Sequence, residues 1–326
     1  MRTLKPMLDL VFMGTAEFAV PSLRTLAGAG QRVRAVVTQP DRPRGRGLHL
    51  QASPVKEAAQ TLSLPALQPE KASDPEFVAE LRSLRPQVIV VVAYGQILRP
   101  AVLEIPPLGC VNLHASLLPE LRGAAPIAWA IIRGYRETGV TTMYMDPGMD
   151  TGDIILQEPE PIHPEDTAGD LAGRLAVRGA DLLRRTLALI EEGRAPRVPQ
   201  DHARATYAPR LKPEDGAVEW NQPAASIHNR IHGCNPVPGA YAARHGARVK
   251  LWRARVVASP DPQSLPGTVL TVTREGPILA TQPGAVLLLE VQAEGRARLS
   301  GEAFARGHRV QPGERWESGH LAAPRS

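Results

Sequence analysis

Residues 87–95 read QVIVVVAYG, a run that is almost entirely apolar and β-branched and stops at a glycine. A stretch so short and so uniformly apolar fits a strand buried on both faces better than a half-exposed one, which would alternate. Working outward, strand and helix signals take turns. LDLVFMG (8–14) is a β-run ending in glycine, and EFAVPSLRTLAGAG (17–30) has helical spacing. RVRAVVTQ (32–39) reads as a second strand, PVKEAAQTL (54–62) as a helix, LPALQP as a short strand, and DPEFVAELRSL (74–84) as a helix with Asp74 at its N-cap. CVNLH (110–114) follows the central run as a further strand. Such alternation predicts an α/β fold with a doubly wound, mostly parallel sheet.

The longest helix signal is TAGDLAGRLAVRGADLLRRTLALIEEG (167–193), with Leu171, Leu175, Leu182, Leu183, Leu187 and Ile190 near a 3.6 period. Thr167 and Asp170 form a capping box, and Gly193 marks the stop. Then RAPRVPQDHARATYAPRLKPEDG (194–216) loses all period and reads as a linker. Beyond it AASIHNRIHG (224–233) looks helical, and ARVKLWRARVV, GTVLTVT, PILATQ and AVLLLEVQAE are short β-runs between turns. These predict a small β-barrel with a helix attached. At roughly 150 residues per domain, 326 residues suggest two domains. The expected boundaries are a catalytic domain over 1–194, a linker over 195–212 and a second domain over 213–326.

The chain is 43% hydrophobic and 22% charged, with a mean hydropathy of −0.18. A net charge of +5 and a pI near 9.5 suit a polyanionic partner, although arginine-rich composition alone produces the same balance. Two cysteines, Cys110 and Cys234, make neither a disulfide framework nor a zinc site. The N-terminal apolar run is interrupted by Asp9 and reads as a strand rather than a signal peptide. No apolar run approaches the ~20 residues that cross a bilayer. A cytoplasmic protein is the expectation, and nothing demands more than a monomer.

Several motifs lead nowhere. The turn after the first strand reads GTAEFA, without the glycine spacing of a dinucleotide site, and no P-loop pattern occurs. Asp150-Thr151-Gly152 spells the aspartic-protease tripeptide, but once only. His228 and His232 are spaced as metal ligands on a helix, yet no glutamate stands between them. They are expected to be surface or interface histidines, and no metal is expected.

The chemistry collects around residues 110–119, CVNLHASLLP. On a strand Asn112 and His114 share a face. Placed at the carboxyl end of a strand in an α/β sheet, they would enter a cleft, although the pair alone is equally compatible with hydrogen-bonded core polars. Downstream, MYMDPGMDTGDII (143–155) carries Asp146, Asp150 and Asp153 in a glycine-rich loop, any of which could partner the imidazole. An amide, an imidazole and a carboxylate suit acyl transfer to an amine. The first two can stabilise a tetrahedral oxyanion, and the third can take a proton from the attacking nitrogen.

The pattern Asn112-x-His114-x-Ser116-Leu117-Leu118-Pro119, then Arg122-Gly123, Pro126 and Asp150-Thr151-Gly152-Asp153, resembles the 10-formyltetrahydrofolate-dependent formyltransferases. TQPDRPRGRG (38–47), SPVK (53–56), VVVAYGQIL (90–98) and NPVPGA (235–240) are similar to the branch that formylates the methionine of initiator tRNA. The likeness runs over nearly the whole chain. It implies a Rossmann-like formyltransferase domain and a C-terminal OB-like barrel that grips tRNA, with 10-formyltetrahydrofolate as co-substrate and no metal. It assigns Asn112, His114 and Asp150 as the catalytic trio and Ser116, Leu117, Leu118 and Pro119 as the folate-binding segment. Arg42, Arg44 and Arg46 fall in the loop that contacts initiator methionyl-tRNA. Leu48 and His49 stand where some relatives carry two lysines, leaving fewer charges for phosphate. A sugar amine or glycinamide ribonucleotide as acceptor, or a catalytically silent RNA-binding protein, are the competing readings.

Overall fold

A computed structural model describes residues 8–44 and 49–319. The chain divides into two compact units that interleave in sequence. The first takes residues 1–123, 138–160 and 172–208, the second 124–137, 161–171 and 209–326.

The first half of the chain runs β1 (Asp9–Gly14), α1 (Val20–Gly28), β2 (Arg32–Val37), β3 (Arg42–Arg44), β4 (His49–Gln51), α2 (Pro54–Thr61), β5 (Ala66–Leu67), α3 (Pro75–Ser83), β6 (Val88–Val92), α4 (Pro100–Leu103) and β7 (Cys110–His114). It continues through α5 (Pro126–Ile132), β8 (Glu137–Tyr144), β9 (Ile154–Pro161) and α6 (Ala168–Glu191). The sheet order is β5-β2-β1-β6-β7-β8-β9. Strands β1, β2, β5, β6 and β7 pair in parallel, and β8 runs antiparallel to β7. The run that set the prediction is β6: all five of its residues are buried, each apolar side chain contributing roughly 1.5–3 kcal/mol of burial. The doubly wound, mostly parallel sheet is as the alternation predicted.

Helix α6 closes one face of the sheet. Its six periodic apolar residues are all buried, and Gly179 lies directly against Leu113 of β7. Its capping box is present: Thr167 N–H donates to Asp170 Oδ2 at 3.0 Å and Asp170 N–H to Thr167 Oγ1 at 3.2 Å. Asp74 holds the N-cap position of α3 but makes no side-chain cap bond. The basic segment after β2 is a β3–β4 hairpin, with Arg42 opposite Gln51 and Arg44 opposite His49. Its base is pinned: Lys56 Nζ meets Asp41 Oδ2 at 2.6 Å, and Gln68 Nε2 donates to Asp41 Oδ1 at 2.7 Å.

The second unit carries α7 (Ala224–Gly233), β10 (Ala240–Arg244), β11 (Ala247–Val257), β12 (Val269–Val272), β13 (Pro277–Ala280), β14 (Ala285–Ala293), β15 (Leu299–Ser300) and α8 (Gly301–Gly307). The antiparallel strand order is β10-β11-β14-β13-β12. The stretch 315–317 bridges both ends of that path, Arg315 to Thr268 and Glu317 to Ala243, so the strands return on themselves as a barrel. The barrel encloses an apolar core that includes Trp220, Leu251, Leu279, Leu288, Phe304 and Trp316. No helix among the described residues is long and apolar enough to cross a membrane.

Candidate active site

Alternation along β7 does what the sequence predicted. Leu113 turns to α6, while Asn112 and His114 share the other face. The register places Asn112 opposite Met143 and His114 opposite Thr141 of β8, so these four residues line one patch of sheet. His114 ends β7 and the acidic loop follows the end of β8, but the two ends do not coincide. Because β8 is antiparallel, its end at Tyr144 pairs with Val111 near the start of β7. The loop after it must therefore fold back over the sheet to bring a carboxylate to His114.

The loop's sequence explains how it does so. Asp146 Oδ1 accepts from Gly148 N–H at 3.0 Å and Thr151 Oγ1 at 2.6 Å, a local turn built on a short polar side chain. Gly152 passes so close to the Tyr144 carbonyl that a Cβ would collide with it. Asp150 sits in the left-handed region at φ 54°, which places its carboxylate inward. Of the three acids, Asp146 is used by the turn and Asp153 faces Arg197 at 3.7 Å. Asp150 alone reaches the imidazole, its Oδ2 lying 3.7 Å from His114 Nδ1. The same oxygen accepts from Gly123 N–H at 2.8 Å.

His114 is buried, and its Nε2 stands 3.0 Å from the Leu121 carbonyl. A carbonyl can only accept, so Nε2 carries a proton and Nδ1 is the nitrogen left for chemistry. Nδ1 can donate only when the ring is an imidazolium facing Asp150. Asn112 is half-buried, and among the described residues its side-chain amide makes no hydrogen bond. An oxygen placed between Asn112 and His114 would therefore find an unoccupied donor.

The segment that follows is clamped from behind. Thr141 Oγ1 donates to the Ser116 carbonyl at 2.6 Å and accepts from Leu118 N–H at 3.2 Å. Gln157 Nε2 donates to the Leu118 carbonyl at 2.8 Å. Ser116 is fully buried, with its hydroxyl given to the Glu120 carbonyl at 2.6 Å, and Leu118 is buried as well. Leu117 and Pro119 are the half-buried members of the four. Sequence reasoning did not find Gln200, His202 or Thr206, all in the stretch read as a linker. Thr206 Oγ1 accepts from Leu121 N–H at 2.8 Å, beside the carbonyl that holds His114. Only their polar character in a proline-rich run hinted at partners.

Residues 9–187 match the formyl transferase family, and residues 210–309 match the formyl transferase C-terminal domain. The methionyl-tRNA formyltransferase of Moorella thermoacetica is 52% identical over 94% of this chain and 98% of its own length. That of Pelotomaculum thermopropionicum is 52% identical over 91% of this chain and 95% of its own. The chain belongs to the methionyl-tRNA formyltransferase family. Among solved structures, the N-formyltransferase of Helicobacter canadensis, in complex with folinic acid and dTDP-3-aminofucose, matches with a TM-score of 0.66 over 88% of this chain and all of that one. Its identity is 19%, which speaks to the fold.

In this formyltransferase, then, the amide, the imidazole and the carboxylate surround one patch of sheet, as the motif suggested. Arg42 is exposed on the hairpin, Arg44 takes part in its pairing, and Arg46 lies outside the described residues. One group of metal-ligand type exists among the described residues: Glu165, His228 and His232, with donor atoms within 4.8 Å of one another. It fits a metal poorly. His232 Nδ1 lies 3.2 Å from the Asp166 carbonyl, and Nε2 accepts from Ala254 N–H at 3.2 Å, so a neutral ring has no lone pair to spare. His232 is also fully buried rather than a surface residue, because α7 turns that face to β11.

Proposed function

We propose that the enzyme transfers the formyl group of 10-formyltetrahydrofolate to the amino group of methionine esterified to initiator tRNA, in the cytoplasm. The observation that carries this reading is the Asn112–His114–Asp150 grouping on one patch of sheet, in a chain about half identical to methionyl-tRNA formyltransferases over nearly its full length. The complex of the Helicobacter canadensis protein with folinic acid supports a reduced folate as donor.

The neutral amine attacks the formyl carbon, forming the new C–N bond and placing negative charge on the formyl oxygen. Asn112 and imidazolium His114 would donate to that oxygen, a contribution of about 3–4 kcal/mol per donor in comparable sites. Asp150 takes the proton from the attacking nitrogen. The C–N bond to the folate then breaks, and the leaving nitrogen takes up a proton, giving tetrahydrofolate and formylmethionyl-tRNA. With Ser116 and Leu118 turned inward, contact with the folate falls to Leu117, Pro119 and main-chain groups. Arg42, Arg44 and Arg46, together with the C-terminal barrel, would hold the tRNA.

A formyl-transfer assay offering charged initiator tRNA, an amino-sugar nucleotide and glycinamide ribonucleotide as acceptors tests the reading. Turnover of the charged tRNA with the others inert is expected. Preference for either small amine would overturn it.

A further inference from the structure

Arg122 is 2% exposed, yet among the described residues no carboxylate pairs with it. Its Nε and Nη2 both donate to Gln200 Oε1, at 3.1 and 2.6 Å, and Nη2 lies 3.2 Å from His202 Nδ1. A cation withdrawn from water without a counter-ion is expensive, and packing alone would be met more cheaply by an apolar side chain. The other end of Gln200 shows what the arrangement holds. Its Nε2 donates to the Asp150 carbonyl at 2.9 Å and the Gly152 carbonyl at 2.8 Å. Both amide hydrogens and both oxygen lone pairs of this buried side chain are thereby engaged. A guanidinium on Oε1 polarises the amide and strengthens the donation on its far side.

The residue so gripped is the one in a left-handed conformation. An L-residue pays roughly 1–2 kcal/mol to sit there, and it stays only where its surroundings over-determine it. Gln200 fixes the main chain at and just after Asp150, and Gly123 N–H fixes the carboxylate. Arg122 sits beside Gly123 in sequence, so one short segment contributes both the cation behind Gln200 and the donor to Asp150.

We propose that Arg122 and Gln200 are positioning residues for Asp150, a buried cation–amide clamp that holds its main chain so that the carboxylate faces His114. This rests on the reading of Asp150 as catalytic.

The test is a double-mutant cycle on the full-length enzyme, measuring kcat and KM for the formyl donor and for charged initiator tRNA, with single-turnover rates for weak variants. Gln200→Leu should lower kcat about 10- to 100-fold, the scale of a small misplacement of a reacting group, with both KM values within about twofold. In an Asp150→Ala background the same substitution should change the residual rate by less than about twofold, because residues acting through one another are not additive. Gln200→Glu gives Arg122 a counter-ion but turns an oxygen toward two carbonyls. It should keep the wild-type Tm and lose kcat as Gln200→Leu does, which separates positioning from folding. Equal losses in both backgrounds, near-normal turnover of Gln200→Leu, or an active Gln200→Glu would overturn the clamp. Near-normal turnover of Asp150→Ala itself would instead remove Asp150 from the chemistry, and the clamp's role with it.

Discussion

His232 makes the acid stability of this protein calculable. It lies in the second unit, fully buried between α7 and β11, and its pKa is pushed down to about 4, first by burial and then by the neighbouring His228. The Ala254 and Asp166 carbonyls and Glu165 pull the other way, more weakly. In the unfolded chain the same ring titrates near 6.5. Between these values the unfolded state binds the proton and the folded state does not, so stability is complete above about pH 6.5 and is lost as the pH falls toward 4. At about 1.4 kcal/mol per pH unit of separation, this one group removes about 2 kcal/mol by pH 5 and about 3 kcal/mol by pH 4. The comparison is wild type against His232→Gln, which keeps a hydrogen-bonding side chain that cannot ionise in this range. All four tryptophans, Trp129, Trp220, Trp252 and Trp316, belong to the second unit, so denaturant unfolding followed by tryptophan fluorescence reports on it. From pH 7 to pH 5 the wild type should lose about 2 kcal/mol more than the variant, whatever their difference at pH 7. Parallel losses would refute the argument. A wild type that gains on the variant in acid would mean that the two carbonyls outweigh burial.

His114→Ala and Asp150→Ala should each cost a hundredfold or more in kcat while Tm and tRNA affinity stay near wild type, measured by steady-state formylation and filter binding; a well-folded His114→Ala enzyme with near-normal turnover sinks the assignment. Arg46→Ala should weaken formylation of charged initiator tRNA without changing folate binding, and Arg46→Lys should rescue poorly because it lacks the planar fork. Kinetics over a salt series checks this, and full rescue by lysine would leave only a point charge at work. Gly152→Ala should lower Tm and kcat together, since its Cβ would meet the Tyr144 carbonyl, at about 1–3 kcal/mol; an unchanged melting curve would show that the loop yields freely.

The fold was legible where burial is simple. β6 is buried on both faces, and its uniform β-branched run said so. α6 buries one stripe and carries its caps in sequence, so period and termini could both be read. The antiparallel turn of β8 was not legible. ETGVTTMY carries three threonines yet is buried over all but its first residue, and its direction depends on whether a crossover or a fold-back precedes it, which composition does not encode. Nor could the stretch 194–216 be read correctly for contacts. It lacks period because its regular structure is limited to short 3-10 turns at His202–Arg204 and Pro213–Gly216 and to isolated bridges, Val198 with Ile154 and Tyr207 with Arg122, and such single contacts leave no repeat.

The proposed catalytic trio and its supports differ in legibility for a physical reason. In the proposed reaction Asn112, His114 and Asp150 present particular side-chain atoms to a reacting centre, and such chemistry survives as a motif of side-chain types. Ser116 and Leu118 belong to the same motif, yet in the structure their side chains face inward and Thr141 and Gln157 hold their main chain. Gln200 grips the carbonyls of Asp150 and Gly152, groups that every residue possesses. A residue that acts on main-chain atoms has no complementary side chain to advertise it, and 50 positions separate it from its target in sequence. Such a contact becomes visible only when the loop conformation is known. That conformation is set by a left-handed aspartate and a glycine against the Tyr144 carbonyl, and neither is specified by hydrophobic pattern. The carboxylate could be named from sequence, but the groups that aim it could not.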